Sequence, residues 1–140
     1  MVVRTYFVAS CNECDRDRIP TLKRLDLEGN RLVETALVEG VENLQLEYGF
    51  DRDNDGNADV FLAGLSGVAG APDNELFNVV AVRVYVLGRS RDVEHGHVEA
   101  DRVYDFGQAG TQAGTADAFK RTLLASLVRL PNVAGPRELP

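Results

Sequence analysis

Asn78-Val79-Val80-Ala81-Val82-Arg83-Val84-Tyr85-Val86-Leu87 is the stretch on which the fold turns. Valine and tyrosine dominate it, and such side chains suit a pleated, half-buried surface. Successive side chains of a strand point to opposite faces. Val80, Val82, Val84 and Val86 therefore share one wholly apolar face, while Val79, Ala81, Arg83 and Tyr85 share a mixed one. That pattern belongs to a central strand.

Upstream lies Val41-Glu-Asn-Leu-Gln-Leu-Glu-Tyr-Gly-Phe50, where Leu44, Leu46 and Tyr48 alternate with Gln45 and Glu47, the period of a half-buried strand. Earlier still, Thr21–Leu27 and Arg31–Val38 flank the turn signal Glu28-Gly29-Asn30, so residues 21–38 read as a hairpin. Val2–Ser10 reads as a first strand, and Val60–Ala63 as a short one that leaves an acidic loop. Residues 64–74 carry Gly, Ser, Ala, Pro and Asn and read as a loop.

Downstream, Val98–Phe106 reads as a weaker strand and Gly107–Thr115 as a flexible loop. The last element is ambiguous. Phe119, Leu123, Leu124, Leu127 and Val128 fit a helical stripe, and Thr122, Leu124, Ser126, Val128 and Leu130 fit a strand less cleanly. Pattern alone favours the helix. Pro131-Asn132 ends it either way, and residues 133–140 read as a frayed tail. The fold class is α+β or mainly β, built on antiparallel sheet, in a single domain over residues 1–140.

Composition narrows the function. With 44% hydrophobic and 26% charged residues the chain is globular, not disordered. Fifteen basic against 22 acidic residues leave a net charge of −7, which repels phosphate backbones and excludes nucleic acid as a partner. No segment approaches the roughly 18 apolar residues of a membrane helix. The start at Met1 has neither the charged front nor the apolar core of a signal peptide. No phosphate loop, nucleophile elbow or zinc-protease pair is present, and Ser10, Ser66, Ser90 and Ser126 sit in no triad setting. The expectation is a protein without catalytic residues.

Asp51-Arg-Asp-Asn-Asp-Gly-Asn-Ala-Asp59 carries the most chemistry. Its carboxylates at loop positions one, three, five and nine, with Gly56 at six, match the front of a calcium loop. Asp51, Asp53, Asp55, Asn57 and Asp59 are the expected metal ligands, Asn57 through its backbone carbonyl. Position twelve holds Leu62 in place of a bidentate glutamate, so this is not an EF-hand; Asp73 or Glu75 is the reserve ligand. Binding of Ca2+ is accordingly expected to be weak. The plain alternative is a solvated acidic turn, since Asp, Asn and Gly are also turn residues.

Cys11 and Cys14, in Cys-Asn-Glu-Cys, admit three readings. A redox pair needs a helix after it, and Asp15-Arg-Asp-Arg-Ile-Pro20 looks like a loop. A zinc site needs His95 and His97, which nothing in the sequence brings near. A small structural disulfide in an oxidising compartment is the preferred reading.

Taken in order, several of these segments resemble one family. Leu37–Asp51, leading into the acidic loop, Asn78–Ser90 with its valines around Arg83, and Lys120–Asn132 with its closing Val128-Arg-Leu-Pro-Asn132 are similar to W-type minor pilins of the type IV pilus, the PilW family. Tyr6-Phe-Val-Ala9 and Pro20-Thr-Leu-Lys-Arg24 fit as well, so the resemblance covers most of residues 4–132. Pro131 departs from it, standing where the family often has a basic residue.

The resemblance implies a pilin-like domain of antiparallel sheet, related to the J-type pseudopilins of type II secretion. It implies a structural subunit that helps prime pilus assembly near the fibre tip, with other minor pilins and a tip adhesin as partners. It places the protein at the periplasmic face of the inner membrane and then in the extracellular pilus. The family's N-terminal hydrophobic helix, its inner-membrane anchor, is missing here, so the chain reads as a truncated form. The family also resolves residues 119–130 as a strand, against the local pattern. The competing reading is a free calcium-stabilised extracellular β-domain that binds a carbohydrate or protein surface.

Overall fold

The structure, a computed structural model, describes residues 3–64 and 75–131. Among these residues nine strands follow in order: β1 (Arg4–Ala9), β2 (Thr21–Glu28), β3 (Arg31–Glu39), β4 (Val41–Phe50), β5 (Val60–Leu62), β6 (Val79–Arg89), β7 (Val103–Asp105), β8 (Thr111–Ala113) and β9 (Arg121–Arg129). Two 3-10 turns, Glu75–Asn78 and Gly107–Ala109, complete the elements. The strands form three sheets of order β1-β2-β3, β5-β4-β6-β9 and β7-β8. β6 is therefore the central strand that its sequence predicts. The frayed tail expected at 133–140 lies outside the described residues.

The chain falls into two compact units. The first comprises residues 1–44, 86–102 and 114–124. Here β1 pairs antiparallel with β2 from Arg4 opposite Asp26 to Ala9 opposite Thr21. β2 and β3 form the expected hairpin, with a bulge at Leu22/Lys23. Its two-residue turn is Gly29-Asn30, and Gly29 has φ 62°, the positive value a tight hairpin turn asks of glycine. Gly40 serves a different need. It accepts the Arg89 amide at 2.6 Å, and a Cβ there would stand 2.7 Å from the Arg89 carbonyl oxygen. Leu87, Val41, Cys11 and Thr21 are buried in this unit together with Lys23, Glu99 and Arg121.

The second unit comprises the described residues within 45–85, 103–113 and 125–131. β5 returns antiparallel along the end of β4, with Phe50 opposite Val60 and Tyr48 opposite Leu62. Phe50, Val79, Val80, Ala81, Tyr85, Tyr104 and Phe106 form its core, and the Tyr85 and Phe106 rings meet edge to face. The acidic Glu47 and Asp51 are buried among them.

Three sequence expectations change in detail. The weak strand expected at Val98–Phe106 shrinks to β7, and the loop expected at Gly107–Thr115 is a 3-10 turn followed by β8, which pairs with β7. The alternation in β4 has its polar side inward at Glu47, which is 1% exposed, while Leu44, Leu46 and Tyr48 are only half-buried. The same holds in β6, where Ala81, Tyr85 and Leu87 are buried and Val82, Val84 and Val86 half-buried. The reason is polar pairing. Glu47 accepts bonds from Arg83 Nη1 at 2.8 Å, from the Tyr85 hydroxyl at 3.2 Å and from the Gln108 amide at 2.5 Å. A carboxylate so supplied with donors can be buried, and its partners explain the mixed face of β6. Gly107 completes this arrangement, because a Cβ at its φ of 64° would overlap Glu47 Oε1. The last element, Arg121–Arg129, is a strand.

Candidate functional site

The acidic loop leaves β4 at Asp51 and closes before β5. Its root is pinned by main chain: the Asp51 amide donates to Asn78 O at 2.9 Å, and the Asp59 amide to Phe50 O at 2.8 Å. Gly56 takes a positive φ of 84° where the sequence places a sharp turn, and Asn54, with φ 64°, folds the chain back beside it. Asp51 is fully buried and accepts the amides of Asn54 at 2.7 Å and Gly56 at 3.0 Å. Asp59 accepts the Arg52 amide at 2.7 Å, and Asp53 the Asp55 amide at 3.2 Å.

The turn brings together Asp51, Asp53 and Asp59, each offering one carboxylate oxygen within 4.8 Å of the others. Three converging oxygens of that kind can hold a hard divalent cation. Asp55 stands outside this group, because its carboxylate accepts the Asn57 amide at 2.7 Å and the Asn57 side-chain amide at 3.0 Å. Leu62, at loop position twelve, lies in β5 opposite Tyr48. Asp73 and the Glu75 side chain lie outside the described residues.

Cys11 and Cys14 stand at disulfide distance, with Cα atoms 4.9 Å apart. Asp17 holds the loop that joins them, accepting the amides of Asn12, Glu13 and Ile19. Those amide bonds, led by Glu13 and Ile19, hold the Asp17 carboxyl below its ordinary range. Among the described residues no metal-ligand group joins these cysteines to His95 or His97. His97 instead faces Glu99, its Nε2 at 2.9 Å from Oε1 but out of hydrogen-bond alignment, and His95 is exposed.

The described serines have ordinary roles. Ser10 donates toward Cys11 Sγ, Ser90 bonds Asp92 O and the Lys120 amide, and Ser126 is exposed on β9. Ser66 lies outside the described residues.

Sequence reasoning missed two buried charge clusters. One is Glu47 with Arg83, Tyr85 and Gln108. Its signal was present as Glu47 on β4 and the alternate pair Arg83 and Tyr85 on β6, but no local rule says that they meet. The other surrounds Arg121, which is 3% exposed and bonded to Glu42 and Asp117, with Glu99 within 3.8 Å. The Arg121 guanidinium holds Asp117 well below the usual carboxylate range, while Asp117 and Glu42 push Arg121 up. Both clusters tie strands and loops together.

No helix among the described residues is long and apolar enough to cross a membrane. Comparison with curated proteins and with solved structures found no match. A family model described as Type IV Pilus-assembly protein W, PilW, matches residues 5–132. That match runs from within β1 to past the end of β9 and takes in all three sheets. The chain therefore belongs to the PilW family of type IV pilus-assembly proteins.

Proposed function

We propose that this chain is the globular domain of a structural minor pilin that helps assemble and prime the type IV pilus near the fibre tip. The observation that carries the reading is the family match across residues 5–132. The charge clusters fit it, since each joins strands and loops by ion pairs and hydrogen bonds. On this reading the protein is not an enzyme. It works at the periplasmic face of the inner membrane and then in the pilus, and its partners are other minor pilins and a tip adhesin.

The Asp51–Asp53–Asp59 group is a calcium site in this reading, with Asp55 and Asn57 in reserve if the loop rearranges on binding. Calcium would relieve the repulsion among the carboxylates and stiffen the turn between β4 and β5; it has no catalytic part. The Cys11–Cys14 pair fits the same oxidising compartment as a structural disulfide.

The test is deletion of the gene in its host, with surface fibres counted by electron microscopy and the gene then restored. Loss of fibres on deletion and their return on restoration are expected. An unchanged fibre count after deletion contradicts the proposal.

A further inference from the structure

At the end of β1 a cavity of about 380 Å³ is lined by Val8, Ala9, Ser10, Arg18, Pro20, Glu42 and Arg89. Its charges are unevenly compensated. Both oxygens of Glu42 are held by Arg121, at 2.5 and 3.0 Å, while Arg89 Nη1 reaches Glu42 only at 3.6 Å. Arg89 otherwise donates Nη2 to Arg18 O and lays its guanidinium over Phe119, at 4.0 Å from the ring centre. Its Nε is buried with no hydrogen-bond partner, a donor that costs free energy until something accepts from it. Arg18 is exposed at the rim, and among the described residues no carboxylate pairs with it. Two incompletely paired arginines in one cavity stand out on a chain of net charge −7.

The cavity also lies against an open strand edge. Among the described residues β1 pairs with β2 alone. Exposed edges are usually blunted by charge, proline or a bulge. β1 carries one charge, Arg4, and that is paired with Asp26 at 3.1 Å; Thr5-Tyr-Phe-Val-Ala9 has neither charge nor proline. An unguarded edge that ends at an arginine-lined cavity has the parts of a strand-addition site, with main chain for affinity and a charged pocket for register.

We propose that the β1 edge and the Arg18–Arg89 cavity together dock an extended peptide segment of a partner protein, whose carboxylate enters the cavity. This rests on the pilus-subunit reading and names the chemistry of one partner contact. The added strand bonds to the outward peptide groups of β1. The carboxylate pairs with Arg18 and accepts from Arg89.

The test uses the whole chain, labelled with nitrogen-15, and two blocked hexapeptides, acetyl-Thr-Val-Thr-Val-Thr-Glu-amide and its glutamine counterpart. The glutamate peptide is expected to shift the amides of β1 and the Arg89 Nε–H, with saturation. The glutamine peptide, or the Arg18→Glu variant, is expected to bind about tenfold more weakly or worse. Arg18→Glu removes a rim side chain with no bond to lose, so its melting curve should match the parent. Equal binding of the two peptides, or none up to ~10 mM, overturns the proposal. So does inorganic phosphate that moves the arginine signals as strongly as the peptide while no β1 amide shifts, which would mark an anion pocket only. Co-purification with the other pilus subunits separates the two readings. If parent and Arg18→Glu associate equally, this inference fails and the pilus reading stands; if neither associates, the pilus reading itself fails.

Discussion

Arg121 and Glu42, 79 positions apart in the chain, meet in a two-pronged ion pair, Nε 2.5 Å from Oε2 and Nη2 3.0 Å from Oε1. Asp117 takes the other side of the same guanidinium at 2.7 Å. Arg121 is thus the cation about which Glu42, Asp117 and Glu99 are arranged. Its removal would strand carboxylates that burial otherwise makes costly.

Arg121→Met should therefore destabilise the protein by about 3–5 kcal/mol, the usual cost of breaking a buried pair by removing one partner. Arg121→Lys should not restore the loss, because an ammonium cannot fork to Glu42 and bridge to Asp117. Urea unfolding followed by circular dichroism measures both. A change within ~0.5 kcal/mol for Arg121→Met would show that the network contributes little, as at an ordinary surface site.

Glu47 gives a second prediction in the other unit. Glu47→Ala leaves Arg83, the Tyr85 hydroxyl and the Gln108 amide without their acceptor, and should cost about 2–4 kcal/mol. The Gln108 amide should then exchange with solvent much faster in hydrogen exchange. Unchanged protection at Gln108 would mean that the amide is held by something other than Glu47.

The pH dependence follows from Asp117, whose pKa is lowered chiefly by its bonds to Arg121. A carboxylate depressed in the folded state adds stability that is fully present above its unfolded pKa, near ~3.9. That contribution is lost as pH falls from there toward the lower folded value. Melting temperature should decline below about pH 4, and Asp117→Asn should flatten part of that decline. An identical acid slope in the variant would remove Asp117 from the explanation.

Calcium should bind the loop with a dissociation constant on the order of 10⁻⁴–10⁻³ M. At ~10 mM calcium this corresponds to about 1.4–2.7 kcal/mol of added stability by mass action. Calorimetric heat and the rise in melting temperature should both vanish in Asp53→Ala. Absence of heat in the parent would make the loop a plain acidic turn.

Reduction of Cys11–Cys14 should lower stability by about 2 kcal/mol, as expected for a disulfide that closes so short a loop. Mass spectrometry of the unreduced protein after thiol alkylation should show two protected cysteines. Two alkylated cysteines would contradict the pairing.

The strands β1 to β6 were legible because their signals are local, whereas β8 fell in a stretch that reads as a loop. Alternation marked β4 and β6, and Glu28-Gly29-Asn30 marked the hairpin between β2 and β3. The closing strand was not legible in this way. Phe119, Leu123 and Leu127 offer a helical stripe, and pairing in the sheet overrides that preference for Arg121–Arg129. The side of β4 that faces inward was misleading for a related reason. Hydrophobic periodicity has no means of showing that Glu47 would find Arg83, 36 positions away, and so bury the polar face. In the acidic loop the turn was readable from Gly56, whereas the positive φ of Asn54 was not foreseen. Which three carboxylates converge depended on Asp55 folding onto Asn57, a choice between equally short side chains that spacing does not decide.

The measurement that bears most directly on the account is association of this chain with the minor pilins of the same host, followed by size-exclusion chromatography with light scattering. A complex of defined stoichiometry that contains this chain is the result predicted. Elution of every component at its own mass, at concentrations well above those in the periplasm, would contradict the assignment as a structural subunit of the pilus.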